Sequence, residues 1–220
     1  MMESGHQQNQ NKKILLLRGF FSIFSIIAIT CSLLDGTTNP MWATGDWAFD
    51  FFSGFAYFTI QTNILVLIWW LSTIILRNSP QRLNLIQGKI RGGVCMYISV
   101  TFLVFALVLQ PGYTPATSAA VFTNIALHYV LPLAFIIDWL LTERIVYNWN
   151  YLYYWVVYPF LYLFSALLYG YFTGIPLYFF LDYAYFPLGV FLGMILGLIV
   201  VFLLIGSGVI AASRVIARKK

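Results

Sequence analysis

A threonine hydroxyl becomes a nucleophile when a base takes its proton, and a neutral imidazole can act as that base near neutral pH. The chain has two histidines, His6 among polar N-terminal residues and His128 inside an apolar stretch. That stretch reads Asn124-Ile125-Ala126-Leu127-His128-Tyr129-Val130-Leu131-Pro132. On a helix Asn124 and His128, four residues apart, share a face. A second apolar stretch reads Phe58-Thr59-Ile60-Gln61-Thr62-Asn63-Ile64. Thr59, Thr62 and Asn63 share one helix face, while Gln61 points the other way. Polar groups in hydrocarbon are costly, so two such faces ask for a functional reason. The chemistry they suggest has Thr59 as nucleophile and His128 as base. Asn63 or Asn124 would stabilise an oxyanion, and Thr62 is a further substrate-binding candidate. Pro132 removes a backbone donor and predicts a kink beside the histidine.

Other chemistries find less support. A lone intramembrane histidine argues against bis-histidine haem and against a histidine-rich metal site. No cofactor or metal is expected. Asp138 falls near one end of its apolar run and is expected to be held by Arg144 or other interfacial partners. Asp182 reads as a solvated loop aspartate. Cys31 and Cys95 are expected on opposite membrane faces, too far apart for a disulfide.

The elements that must position these residues follow from composition. The chain has 220 residues, 61% hydrophobic and only 9% charged. Soluble domains carry about a quarter charged residues. The predicted fold is all-α: a polytopic membrane protein with a six-transmembrane-helix bundle. The spans are read at 14–34, 51–76, 93–110, 119–141, 151–172 and 187–212, each long enough to cross about 30 Å of hydrocarbon. The first is read as an uncleaved span rather than a signal peptide. Residues 1–13 are expected as a disordered cytoplasmic tail, and 213–220 as a basic cytoplasmic one.

All twelve Lys and Arg residues fall at the N-terminus, between the second and third spans, after the fourth, and at the C-terminal end. The three alternate loops hold none, which places both termini in the cytoplasm of a cell-membrane protein. The net charge of +5 is thus a topology signal; it suits lipid head groups and does not suggest a nucleic-acid partner. Trp42 and Trp47, and the cluster Tyr147, Trp149, Tyr151, Tyr153, Tyr154 and Trp155, read as interfacial belts. Gly189, Gly193 and Gly197, four residues apart, predict tight helix packing, by default within the monomer. Oligomeric state is not readable. Counted from Phe51 and from Ala120, Thr59 and His128 each lie about 12 Å into their spans, at matching depth.

These segments resemble a known family. Tyr57-Phe58-Thr59 and its polar stripe are similar to the threonine motif of the androgen-induced and androgen-dependent TFPI-regulating membrane hydrolases. Leu127-His128-Tyr129-Val130-Leu131-Pro132 resembles that family's histidine motif. The six-span plan and the length also match, most closely in a bacterial branch carrying Phe58 to Asn63 and Pro132 through Asp138-Trp139. The resemblance implies an intramembrane hydrolase using Thr59 and His128, and a lipid-like substrate in which a fatty acid is esterified to a hydroxy fatty acid. The stripe Gln61-Thr62-Asn63 and the spacing around the histidine depart from the animal members. Two other classes compete with an esterase: a transporter or channel for a small molecule or lipid, and a non-catalytic scaffold. Residues 64–70 carry no hydroxyl, amide or charge on the second span, which favours a one-sided cup over a through-path.

Overall fold

The computed structural model describes residues 2–39 and 43–218. The described residues form nine α-helices joined by short turns, and no strand occurs among them. In chain order they are α1 (Met2–Thr38), α2 (Trp47–Ser53), α3 (Phe58–Ile75), α4 (Pro80–Ile86), α5 (Lys89–Val104), α6 (Ser118–Ile125), α7 (Leu131–Thr142), α8 (Tyr151–Thr173) and α9 (Leu188–Arg218). Five-residue π turns continue α5 through Phe105–Leu109 and join α6 to α7 through Ala126–Val130. The result is six helical segments long and apolar enough to cross a membrane, from Lys12–Thr38 to Leu188–Ala217. α3 packs on α1, α5 and α7, and α5 also contacts α8 and α9, so these two helices form the centre.

Several boundaries differ from the sequence reading. The residues 2–13 continue α1 instead of forming an unstructured tail, and 213–218 continue α9. The second span begins at Phe58, not at 51. The chain before it folds into the short helix α2 and a tight turn over Gly54–Ala56, and Tyr57 is extended. Gly54 permits this: a Cβ there would lie 2.6 Å from a methyl of Leu33 on α1. Asp46 caps α2 through the Phe49 N–H, and buried Asp50 accepts from the Thr44 N–H and hydroxyl, both of which pin the connection. Thr59 is therefore the second residue of its helix, and the matched-depth argument counted from Phe51 does not hold.

At the end of the bundle that carries the basic residues, buried charges are paired. Arg18 binds Asp138 through two nitrogens, both at 2.9 Å, and Trp70 Nε1 donates to the same carboxylate at 3.1 Å. Arg91 lies 3.4 Å from Asp138 and 3.5 Å from Glu143. Asp138 is thus held by cations of the first and third spans rather than by Arg144, its neighbour in sequence. The aromatic belt also divides: Tyr153 and Tyr154 are exposed, whereas Tyr147 and Trp155 are core residues. Trp155 donates to the Lys89 carbonyl and Tyr147 to Glu143. Trp42 lies outside the described residues. Asp182 accepts from the Ala184 and Tyr185 N–H groups, an ordinary loop turn. Cys31 and Cys95 are both free thiols.

The glycine stripe is a further correction. Gly189, Gly193 and Gly197 have nothing within 4 Å of where a Cβ would stand, so they face outward from the bundle. Close approach occurs elsewhere. A Cβ on Gly92 would run into Trp155 and Tyr147, and one on Gly206 would lie 2.6 Å from Leu152 and Met96. Gly92→Val should therefore cost about 1–3 kcal/mol of stability by overpacking, read as a lowered thermal unfolding temperature in detergent. Gly193→Leu in the same assay should leave the protein within about 0.5 kcal/mol of the parent.

Candidate active site

Thr59 sits in the first turn of α3, where backbone N–H groups have no partner within the helix. The Phe58 N–H donates instead to two phenol oxygens, Tyr162 at 3.0 Å and Tyr178 at 3.1 Å. One phenol comes from α8 and the other from the loop before α9, so these elements fix where α3 begins. Gln61, on the opposite side of α3, accepts from the Tyr158 hydroxyl at 2.8 Å and adds a second tie to α8.

His128 lies in the π turn between α6 and α7. A π turn shifts the hydrogen-bond register by one residue and re-aims the side chains it carries, and such turns recur at functional sites. The Leu131 N–H here bonds the Ala126 carbonyl, five residues back, and Pro132 follows with no donor of its own. The imidazole faces α3, with Nε2 3.2 Å from Thr59 Oγ1. Its Nδ1 is 3.1 Å from the Asn124 carbonyl oxygen. A carbonyl can only accept, so Nδ1 carries the proton and Nε2 presents its lone pair to the threonine hydroxyl. Phe105, at the head of the other π turn, stacks on the ring with centroids 3.6 Å apart and planes 16° from parallel. The two irregular turns thus meet at the imidazole.

The remaining polar residues hold this pair without sharing its chemistry. Asn63 Nδ2 donates to the Thr59 carbonyl at 2.8 Å and to the Leu127 carbonyl at 3.1 Å. It joins the turn bearing the threonine to the turn bearing the histidine, and both amide protons are then committed. Thr62 shares a hydrogen bond of 2.8 Å with Thr101 on α5. Asn124 donates its amide to Gln110 at 3.3 Å. The structure therefore brings Thr59 and His128 together, while Thr62, Asn63 and Asn124 bond away from the threonine hydroxyl.

Thr59 opens into a cavity of about 410 Å³, within the ~300–1,000 Å³ usual for small-molecule sites. Apart from Thr59, Thr101 and the phenols of Tyr162 and Tyr178, its walls are apolar. Val157 and Phe160 of α8 and Leu203 of α9 line it and are exposed, which marks its open side between those helices. Three contributors escaped the sequence reading: Phe105, Tyr162 and Tyr178. Tyr158 and Tyr162, four residues apart on one face of α8, were the available signal for one of them. Tyr178 and Phe105 had no signal of spacing. Among the described residues no cluster of three or more His, Cys, Asp or Glu side chains could hold a metal ion.

Comparison with protein-family models, curated proteins and solved structures finds no match. Asn63→Leu should remove the side-chain donor that the Leu127 and Thr59 carbonyls share, leave the latter to the Thr62 hydroxyl, and cost about 1–3 kcal/mol, visible as a lower unfolding temperature in detergent with the helix content retained.

Proposed function

We propose that this protein is a multi-pass membrane esterase in which Thr59 is the nucleophile and His128 the general base. The observation that carries the reading is the 3.2 Å contact between Thr59 Oγ1 and an imidazole whose tautomer is set for proton acceptance, at the wall of an apolar cavity. The resemblance to the androgen-induced and androgen-dependent TFPI-regulating hydrolases supports the same two roles. It also points to fatty-acid esters of hydroxy fatty acids as the substrate class. The cavity suits an acyl chain, since each buried methylene contributes about 0.8 kcal/mol. Its open side between α8 and α9 lets a lipid approach from within the bilayer.

Thr59 Oγ1 attacks the ester carbonyl carbon as its proton passes to His128 Nε2, and the carbonyl π pair moves onto oxygen. On collapse the carbon–alkoxy bond breaks, and the leaving alkoxide takes the proton from Nε2. Water then attacks the acyl-threonine, giving its proton to Nε2. The Thr59 oxygen leaves, recovers that proton, and the free fatty acid departs. The Asn124 carbonyl supplies the orientation that a carboxylate supplies in serine hydrolases. A neutral partner stabilises the imidazolium less, which implies modest turnover.

With a p-nitrophenyl acyl ester as probe, Thr59→Ala should abolish turnover. His128→Ala should lower kcat by about 10²–10⁴-fold. The double variant should be no worse than Thr59→Ala, because the two side chains act as a unit. Full activity in Thr59→Ala would remove the covalent mechanism.

We further propose that both termini are cytoplasmic and that the site lies toward the outer leaflet of the cell membrane, on the split of basic residues between alternate loops. A reporter active only outside the cytoplasm should work when inserted between residues 113 and 117 and should be silent when fused after residue 220. The reverse result would turn the site inward.

A further inference from the structure

An ester attacked by Thr59 develops negative charge on the carbonyl oxygen, and the asparagines on either side are not placed to receive it. Asn63 has both amide protons on carbonyls, and Asn124 faces Gln110. The group beside the nucleophile is a phenol. The Tyr178 hydroxyl accepts from the Phe58 N–H, next in the chain to Thr59, at 3.1 Å, and the Thr59 and Tyr162 hydroxyls lie close enough to it to interact electrostatically. Tyr162 and Tyr178 both line the cavity, alongside Thr59.

We infer that Tyr178 is a catalytic residue whose hydroxyl donates to the developing oxyanion, with Tyr162 behind it as the second phenol of the pair. The inference rests on the esterase reading above. The oxygen that becomes charged is bonded to the same carbon as Thr59 Oγ1, so its donor must already stand beside that atom. Tyr178 does. Its oxygen accepts from the Phe58 N–H at 3.1 Å, at the positive end of α3. A hydroxyl that accepts from such a donor gives its own proton to an acceptor more strongly. Burial also pushes the Tyr178 phenol above its ordinary pKa, so the proton is present at neutral pH. The ring is fixed by stacking on Phe180, with centroids 5.2 Å apart, and by the edge of Tyr57 at 5.8 Å. A donor held this way needs little reorganisation as charge appears, and this is the source of oxyanion-hole catalysis.

In the step itself the Tyr178 hydroxyl donates to the substrate oxygen as the C=O π pair becomes a lone pair. The proton stays on Tyr178 throughout, and the bond relaxes when the carbonyl re-forms.

The test uses the full-length protein in detergent with p-nitrophenyl octanoate and its thionoester, in which sulfur replaces the carbonyl oxygen. Removal of one oxyanion donor lowers kcat by about 10²–10³-fold. Tyr178→Phe should show that fall with KM little changed. The parent should prefer the oxygen ester strongly, and Tyr178→Phe should lose that preference, because sulfur accepts hydrogen bonds poorly. The oxygen-to-sulfur rate ratio does not depend on how much protein is folded, so it reads the same role even where the variant loses stability. Tyr162→Phe should show a smaller loss in the same direction. Unchanged kcat and an unchanged ratio in Tyr178→Phe, with Thr59→Ala inactive, would overturn the oxyanion role and leave the esterase reading standing. Activity in Thr59→Ala would instead overturn both.

Discussion

Hydrocarbon offers no hydrogen-bond partner, so a polar group carried into a bilayer must be answered by another part of the same chain. The arrangement of this bundle can be derived from that constraint. The first N–H of α3 is answered by two phenols, which sets the register of α3 against α8 and the loop before α9. The Asn63 amide is answered by two carbonyls, which sets α3 against the π turn between α6 and α7. Thr62 and Thr101 answer each other and fix α3 against α5. At the opposite end Asp138 is answered by Arg18, Arg91 and Trp70, which ties α1, α3 and α5 to α7. Between these polar ties the packing is apolar and aromatic. Trp69 and Trp70 rest against Phe135, and the guanidinium groups of Arg18 and Arg91 both lie over the Trp69 ring.

The same constraint shapes the site. A side chain on a helix can bond a carbonyl one turn back, as Asn63 does with that of Thr59, and the helical register decides which carbonyl it reaches. The π turn at Ala126–Val130 shifts that register, and the Asn124 carbonyl receives the His128 Nδ1 proton. That single bond decides which imidazole nitrogen faces Thr59. Phe105 then covers the ring face, and its own π turn brings it there. Local irregularity in two helices thus holds the imidazole by a backbone oxygen on one nitrogen and a stacked ring on its face.

Much of this was legible in the sequence, and the remainder had physical reasons for being hidden. The polar faces of Thr59-Thr62-Asn63 and Asn124-His128 are periodic features, and periodicity survives folding; hence the two faces meet. Six apolar runs are likewise features of composition. The start of the second span was not legible, because the apolar residues from Phe51 run on into it and the Gly54 contact and extended Tyr57 divide them. The glycine stripe on α9 had the spacing of a packing face, but spacing does not say which side of a peripheral helix meets the bundle. Tyr162 and Tyr178 were hidden among fifteen tyrosines, four of which read as an interfacial belt. The partner of Asp138 was hidden because Arg18 is 120 residues away in sequence.

In the proposed mechanism Thr59 forms a covalent bond to an acyl-like electrophile because His128 takes its proton. The most direct measurement is mass spectrometry of the intact and digested protein after reaction with an alkyl fluorophosphonate, for the parent and for His128→Ala. That mechanism predicts one phosphonyl adduct per chain, mapped to Thr59, forming in the parent and strongly slowed in His128→Ala. An adduct on another residue, or labelling of Thr59 at the same rate without His128, would contradict it.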